Sequence, residues 1–195
     1  MNFLLEAAAE IADFLEREDV PYAILGGLAV QYWGEPRTTR DVDIVAMVQP
    51  QYLGKFLEKA VNRFTPRIKN AITFAKKSRV LLLKATNDCP IDLSLGIPGY
   101  EESVIQRAII VCFPNVRPLR LISAEDLIIH KCVAGRPRDL EDVERILIRQ
   151  KGKVNVRYIK RWLKEFAPLV NEYDIILNFE NILKKVRKFL YKSGC

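Results

Sequence analysis

The stretch from Leu25 to Ile44 restricts this chain more than any other. It reads Leu25-Gly26-Gly27-Leu28-Ala29-Val30, then Arg37-Thr38-Thr39-Arg40-Asp41-Val42-Asp43-Ile44. Residues 22–25 form a short apolar run cut off by the two glycines, and residues 28–33 read as a helix ending near Gly34, which gives strand, glycine turn, helix. Paired glycines let a backbone come close to a phosphate chain, and the helix after them aims unpaired N–H groups at it. Residues 41–48 alternate polar and apolar early and become a buried strand. Side chains on a strand repeat every two residues, so Asp41 and Asp43 share a face and can reach one or two divalent ions together.

A third carboxylate is expected beside them. Residues 79–86 and 90–95 read as two strands joined by a turn at Asn87-Asp88, which returns Asp92 to the same sheet. Asp92 is bracketed by Ile91 and Leu93, a costly place for a charge unless it meets a cation or faces a cleft. Hard oxygen ligands of this kind suit Mg²⁺, with Mn²⁺ as its substitute, and leave room for water and for a substrate's phosphates. A glycine pair or a lone D-x-D is weak evidence, since turns and strand edges supply both. Their order together is specific. It is also the wrong order for dinucleotide binding: neither G-x-G-x-x-G nor G-x-x-x-x-G-K-[ST] occurs.

Elsewhere the pattern predicts an amphipathic helix over residues 3–18 and helices over 51–61 and 100–106. A strand pair over 108–113 and 116–122 turns at Pro114-Asn115. Ser123, with Asp126 three residues on, marks a helix start, and helices follow over 124–134, 138–150, 155–167 and 173–191. The fold class expected is α+β: a mixed, largely antiparallel sheet with flanking helices in a core domain over 1–122, then a helical region over 123–195. The net charge of +7 sits in that last region, since residues 131–195 hold 16 Lys and Arg against 8 Asp and Glu, and the first 130 hold 15 against 16. A basic surface gains affinity for polyanions by releasing their counterions, although amphipathic helices often carry such charge with no partner. Cys89, Cys112, Cys132 and Cys195 are scattered without a C-x-x-C pair, so they are expected as three semi-buried thiols and one terminal thiol. No apolar run approaches the roughly 20 residues of a membrane crossing, and no secretory leader pattern opens the chain, so a cytoplasmic location is expected.

The segment over about residues 22–95 resembles the DNA polymerase beta-like nucleotidyltransferase superfamily, in which a Gly-Gly or Gly-Ser turn precedes D-x-D and a third Asp follows on a later strand. Asp126-Leu-Ile-Ile-His-Lys131 and Arg136-Pro-Arg138-Asp139-Leu-Glu-Asp142 resemble elements of AbiEii-type toxin nucleotidyltransferases. The resemblance implies metal binding by Asp41, Asp43 and Asp92, with Asp92 also helping to activate the acceptor. It implies nucleotide binding by Gly26, Gly27, Arg37, Thr39 and Arg40, and triphosphate contact by Lys131 and Arg138. Asp126, Asp139 and Asp142 would orient those cations. At these positions the ordinary alternative is helix chemistry, because acidic residues near a helix start favour its dipole. His130 is expected as a core or surface histidine rather than a catalytic one.

The activity implied is Mg²⁺-dependent transfer of a nucleoside monophosphate from an NTP such as ATP to a hydroxyl on RNA, for example a tRNA end, or on protein, with a toxin role and an antitoxin partner as its corollary. Two alternatives stand beside it. Aminoglycoside nucleotidyltransferases share the Gly-Gly and D-x-D segment but act on a small cationic substrate that favours an acidic cleft. A non-catalytic module binding nucleotide or RNA would have no need of three intact carboxylates.

Overall fold

The structure is a computed structural model that describes residues 2–170 and 175–192. Its contacts divide the chain into two compact units, one made of Met1–Ala29 with Thr38–Ile122, the other of Val30–Arg37 with the chain from Ser123 onward.

The first unit is built on a seven-stranded sheet. Its strands are β1 (Tyr22–Ile24), β2 (Val42–Ala46), β3 (Thr65–Pro66), β4 (Val80–Lys84), β5 (Pro90–Leu95), β6 (Ile109–Val111) and β7 (Leu119–Leu121), in the order β3-β4-β5-β2-β1-β7-β6. Two neighbouring pairs, β2 with β5 and β1 with β7, are parallel, and the other four are antiparallel. The mixed, largely antiparallel sheet expected from the sequence is therefore present.

The two faces of the sheet are unequal. On one, Ile24, Val42, Ile44, Leu81, Leu83, Ile91 and Leu93 join the main core with α1 (Asn2–Arg17), α3 (Leu53–Arg63) and α4 (Ala71–Ser78). Phe14 of α1 meets Phe56 and Phe64 there, with ring centroids 5.7 and 5.5 Å away. On the other face only Ala23, Val45 and Ile105 form a small buried cluster, edged by Leu25, Met47 and Ala108. Strand alternation puts Asp43 and Asp92 on that thinly covered face, because their neighbours Val42, Ile44, Ile91 and Leu93 all point into the main core.

Several expected boundaries move. Helix α2 covers Gly26–Trp33, so the glycines are its first residues and not a turn ahead of it. The strand expected over 41–48 is confined to Val42–Ala46, with Asp41 just before it. The pair expected over 108–113 and 116–122 contracts to three residues in each strand. Arg79 is not a strand residue. It ends α4 in the left-handed conformation (φ 59°), and its guanidinium donates to the carbonyls of Leu95 and Gly96 at 2.9 and 2.7 Å. Residues 62–78, for which no element is predicted, supply β3 and α4. Cys112 is exposed rather than semi-buried, whereas Cys89 and Cys132 are buried. Cys195 lies outside the described residues, as do the first two residues of the helix expected over 173–191.

In the second unit the last turn of α2 groups with α6 (Ala124–Ala134), α7 (Pro137–Arg149), α8 (Val156–Phe166) and α9 (Ile175–Lys192). Ser123 caps α6 as expected: its Oγ accepts from the Asp126 amide at 3.1 Å and donates to the Asp126 carboxylate at 2.5 Å. The Tyr158 hydroxyl donates to the other oxygen of Asp126 at 2.7 Å and so ties α8 to α6. Inside this packing lies His130, whose imidazole is pushed down to about pKa 4, first by burial and then by Lys131, against the opposing pull of Asp126.

A histidine with a depressed folded pKa binds its proton more readily in the unfolded chain, so its share of stability is present above about pH 6.5 and is lost as pH falls toward 4. Urea titrations across that window should show about 3 kcal/mol of acid destabilisation from this residue. His130→Leu should lack that slope, whatever its absolute stability.

Candidate active site

The parallel pairing of β2 with β5 sets Asp43 directly opposite Asp92. Asp41, two residues before Asp43, extends the same face past the strand end. The three half-buried carboxylates each offer an oxygen, and these oxygens lie within 4.8 Å of one another. Three hard anionic donors at that spacing match what a divalent cation needs from a protein, with further positions left for water and substrate oxygens. The side chain of Thr39 steadies the cluster, its hydroxyl donating to Asp41 at 2.9 Å.

The glycines are required by these same side chains. A Cβ on Gly26 would fall 1.7 Å from Asp43 Oδ2, and Gly26 has φ +57°, a conformation costly for any L side chain. A Cβ on Gly27 would lie 2.3 Å from Thr39 Oγ1. The sequence reading assigns the glycines to close approach by phosphate. The structure shows a prior demand: the first turn of α2 has to fit against Asp43 and Thr39. Below the site Leu25 donates its amide to the Asp43 carbonyl at 2.8 Å, which fixes the glycines relative to β2.

Two further residues meet the cluster that sequence reasoning did not single out. Arg67, just beyond β3, forms an ion pair with Asp92. No local signal marks it, because β3 is two residues long and outside the predicted elements. Cys89 is buried near Asp41, and its thiol is pushed up to about 11, first by burial and then by that carboxylate. Beside these carboxylates the thiol is held in its protonated form. Arg40 is exposed immediately before Asp41.

The other residues implied by the resemblance gather in the second unit. Lys131, buried on α6, pairs with Asp139 at 2.7 Å and Asp142 at 3.0 Å. Asp142 also receives Arg37 in a two-point contact, Nε and a terminal nitrogen each at 3.0 Å. Arg136 adds a bond to Asp139 at 2.5 Å. Burial alone raises the Asp139 carboxyl, but hydrogen bonds from Arg136 and Lys131 outweigh it and hold it below the usual carboxylate range. Asp126 takes donors of its own, Ser123 and Tyr158, and Arg138 is exposed in the first turn of α7.

Residues 2–187 match a protein-family model described as nucleotidyltransferase of unknown function (DUF6036). The chain belongs to this family. Among solved structures, this nucleotidyltransferase is similar to an antigenic nucleotidyltransferase-like protein from Paracoccidioides brasiliensis, with a TM-score of 0.52 and 17% identity over 96% of this chain and 90% of that one. It is also similar to ANT(2")-Ia, solved in complex with adenylyl-2"-tobramycin, with a TM-score of 0.51 and 16% identity over 84% of this chain and 95% of that one. At such identities the likeness is one of fold. A search of curated proteins gives no match.

Two outcomes follow from this geometry. Gly26→Ala should cost about 2 kcal/mol or more of stability in urea titrations, from the left-handed backbone and the overlap with Asp43 together. Lys131→Ala should cost about 3 kcal/mol by the same measurement, because Asp139 and Asp142 would stay buried with less compensating charge.

Proposed function

We propose that this nucleotidyltransferase moves a nucleoside monophosphate from an NTP to a hydroxyl group on RNA, with Mg²⁺ held by Asp41, Asp43 and Asp92. The observation that carries this is the cluster of three carboxylate oxygens within 4.8 Å, placed beside a helix start that two glycines fit against Asp43 and Thr39. A divalent ion bound there neutralises triphosphate charge and lowers the pKa of an attacking hydroxyl. The protein's own groups do the rest. Thr39 holds Asp41 in place, and the first-turn amides of α2, kept clear of side chains by Gly26 and Gly27, offer N–H donors to phosphate oxygens. Asp92, on the strand beside Asp43, is the carboxylate assigned to the acceptor hydroxyl.

RNA is favoured as acceptor by α8. Arg157, Arg161 and Lys164 are exposed and recur at helical spacing along one side, and the Arg161 guanidinium lies 5.6 and 5.3 Å from the ring centroids of Tyr158 and Trp162. Basic groups interleaved with aromatic rings suit a strand of phosphates and bases.

Incubation with Mg²⁺, each of the four labelled NTPs and total cellular RNA plus protein tests the proposal, with the Asp41→Ala/Asp43→Ala variant alongside. Label should enter RNA with the intact carboxylates only. Label in protein alone would replace the acceptor. No label with any NTP would shift the reading to a small-molecule acceptor or a non-catalytic module.

A further inference from the structure

The resting cluster poses an electrostatic problem. Three carboxylates within 4.8 Å repel one another, and the half-buried setting screens that repulsion less than bulk water does. Sheet register supplies a counter-charge. Arg67 donates its amide to the Leu82 carbonyl at 3.0 Å, Leu82 stands opposite Asp92, and Asp92 stands opposite Asp43, so the four residues form one row from just beyond β3 across β4, β5 and β2. The row brings the guanidinium of Arg67 onto the carboxylate of Asp92, the one the sequence supplies last. A guanidinium does not deprotonate under physiological conditions, so this cation leaves only by moving.

We propose that Arg67 is a positioning residue that holds Asp92 while the cluster is without a metal ion and yields it when a divalent cation is taken up, so that guanidinium and cation compete for one carboxylate. The inference rests on reading Asp41, Asp43 and Asp92 as a cation site. It assigns a role to a residue that no motif marks. The bland alternative is a partly exposed ion pair, with both side chains about one-third exposed (29% and 33%), that merely fastens the sheet edge. The two differ in what the cation feels. A fastening pair leaves metal affinity unchanged, or weakens it on loss by loosening Asp92, whereas a competitor strengthens metal affinity when it is removed.

The test is titration of the whole chain with Mn²⁺ alone, free ion being read by electron paramagnetic resonance, and folding checked by circular dichroism. Arg67→Gln should bind Mn²⁺ about tenfold more tightly than the unaltered chain, the order expected for removing one positive charge adjacent to the site. Arg67→Lys, which keeps the charge, should stay close to the unaltered value. In an Asp92→Asn background the effect of Arg67→Gln should shrink to about twofold or less. Unchanged or weaker binding by Arg67→Gln would overturn the proposal, as would full tightening in the Asp92→Asn background, which would mark a general field effect. Absence of Mn²⁺ binding in every folded protein would overturn it too. The labelling experiment reads transfer rather than metal, so it decides the proposed activity separately.

Discussion

Everything chemical in the first unit depends on β2 and β5 running parallel with Asp43 opposite Asp92. The pair could not form by a tight hairpin, since parallel neighbours need a crossover. The intervening chain supplies it through α3, β3, α4 and β4, and β4 then turns back sharply into β5. The crossover does more than return the chain. Its helices cover one face of the sheet with the main core, leaving the carboxylates on the other, and its short strand carries Arg67 to them. A register slip of one residue in β5 would bury Asp92 in the main core and turn Leu93 outward.

The second unit manages charge in a different way. Lys131, Asp139 and Asp142 are buried together, with Arg37 and Arg136 completing their pairing. A buried ionic cluster is weak evidence for stability gained, because desolvation offsets much of the attraction. It is better evidence for orientation. Arg37, held at two points by Asp142, begins the loop whose next residues include Thr39 and Asp41. The α6 and α7 motifs thus act first on the shape of their own helices.

Much of this was legible beforehand, for identifiable reasons. Asp41 and Asp43 could be placed on one face because strand periodicity is local. Asp92 could be brought near them because Asn87-Asp88 signals a turn. The C-terminal helices carried caps and breaks, Ser123 and Pro137 among them, and α6, α7 and α8 fell within a residue or two of their expected limits. What escaped depends on contacts distant in sequence. Arg67 reaches Asp92 through the registers of two strand pairs, which no window of sequence contains. Gly26 and Gly27 were recognised as glycines that matter, but their closest constraint is Asp43 and Thr39 folded back against them, not a ligand. Arg79 looked like a strand residue because the apolar run after it is one, and its left-handed role in ending α4 could not be seen before α4 itself was.

The glycine contacts also bear on how freely related sequences can drift. Every other amino acid carries a Cβ, so any replacement at position 26 meets both the left-handed backbone and the side chain of residue 43, its Cβ at 2.8 Å as well as its carboxylate. Position 27 differs in having no left-handed backbone, but its obstacle also includes a Cβ, that of Thr39 at 2.5 Å. Only glycine at 39 would remove that obstacle without a backbone shift. Among descendants of this chain, a side chain at 27 should therefore accompany glycine at 39 or a displaced backbone, while glycine at 26 should persist whatever stands at 43.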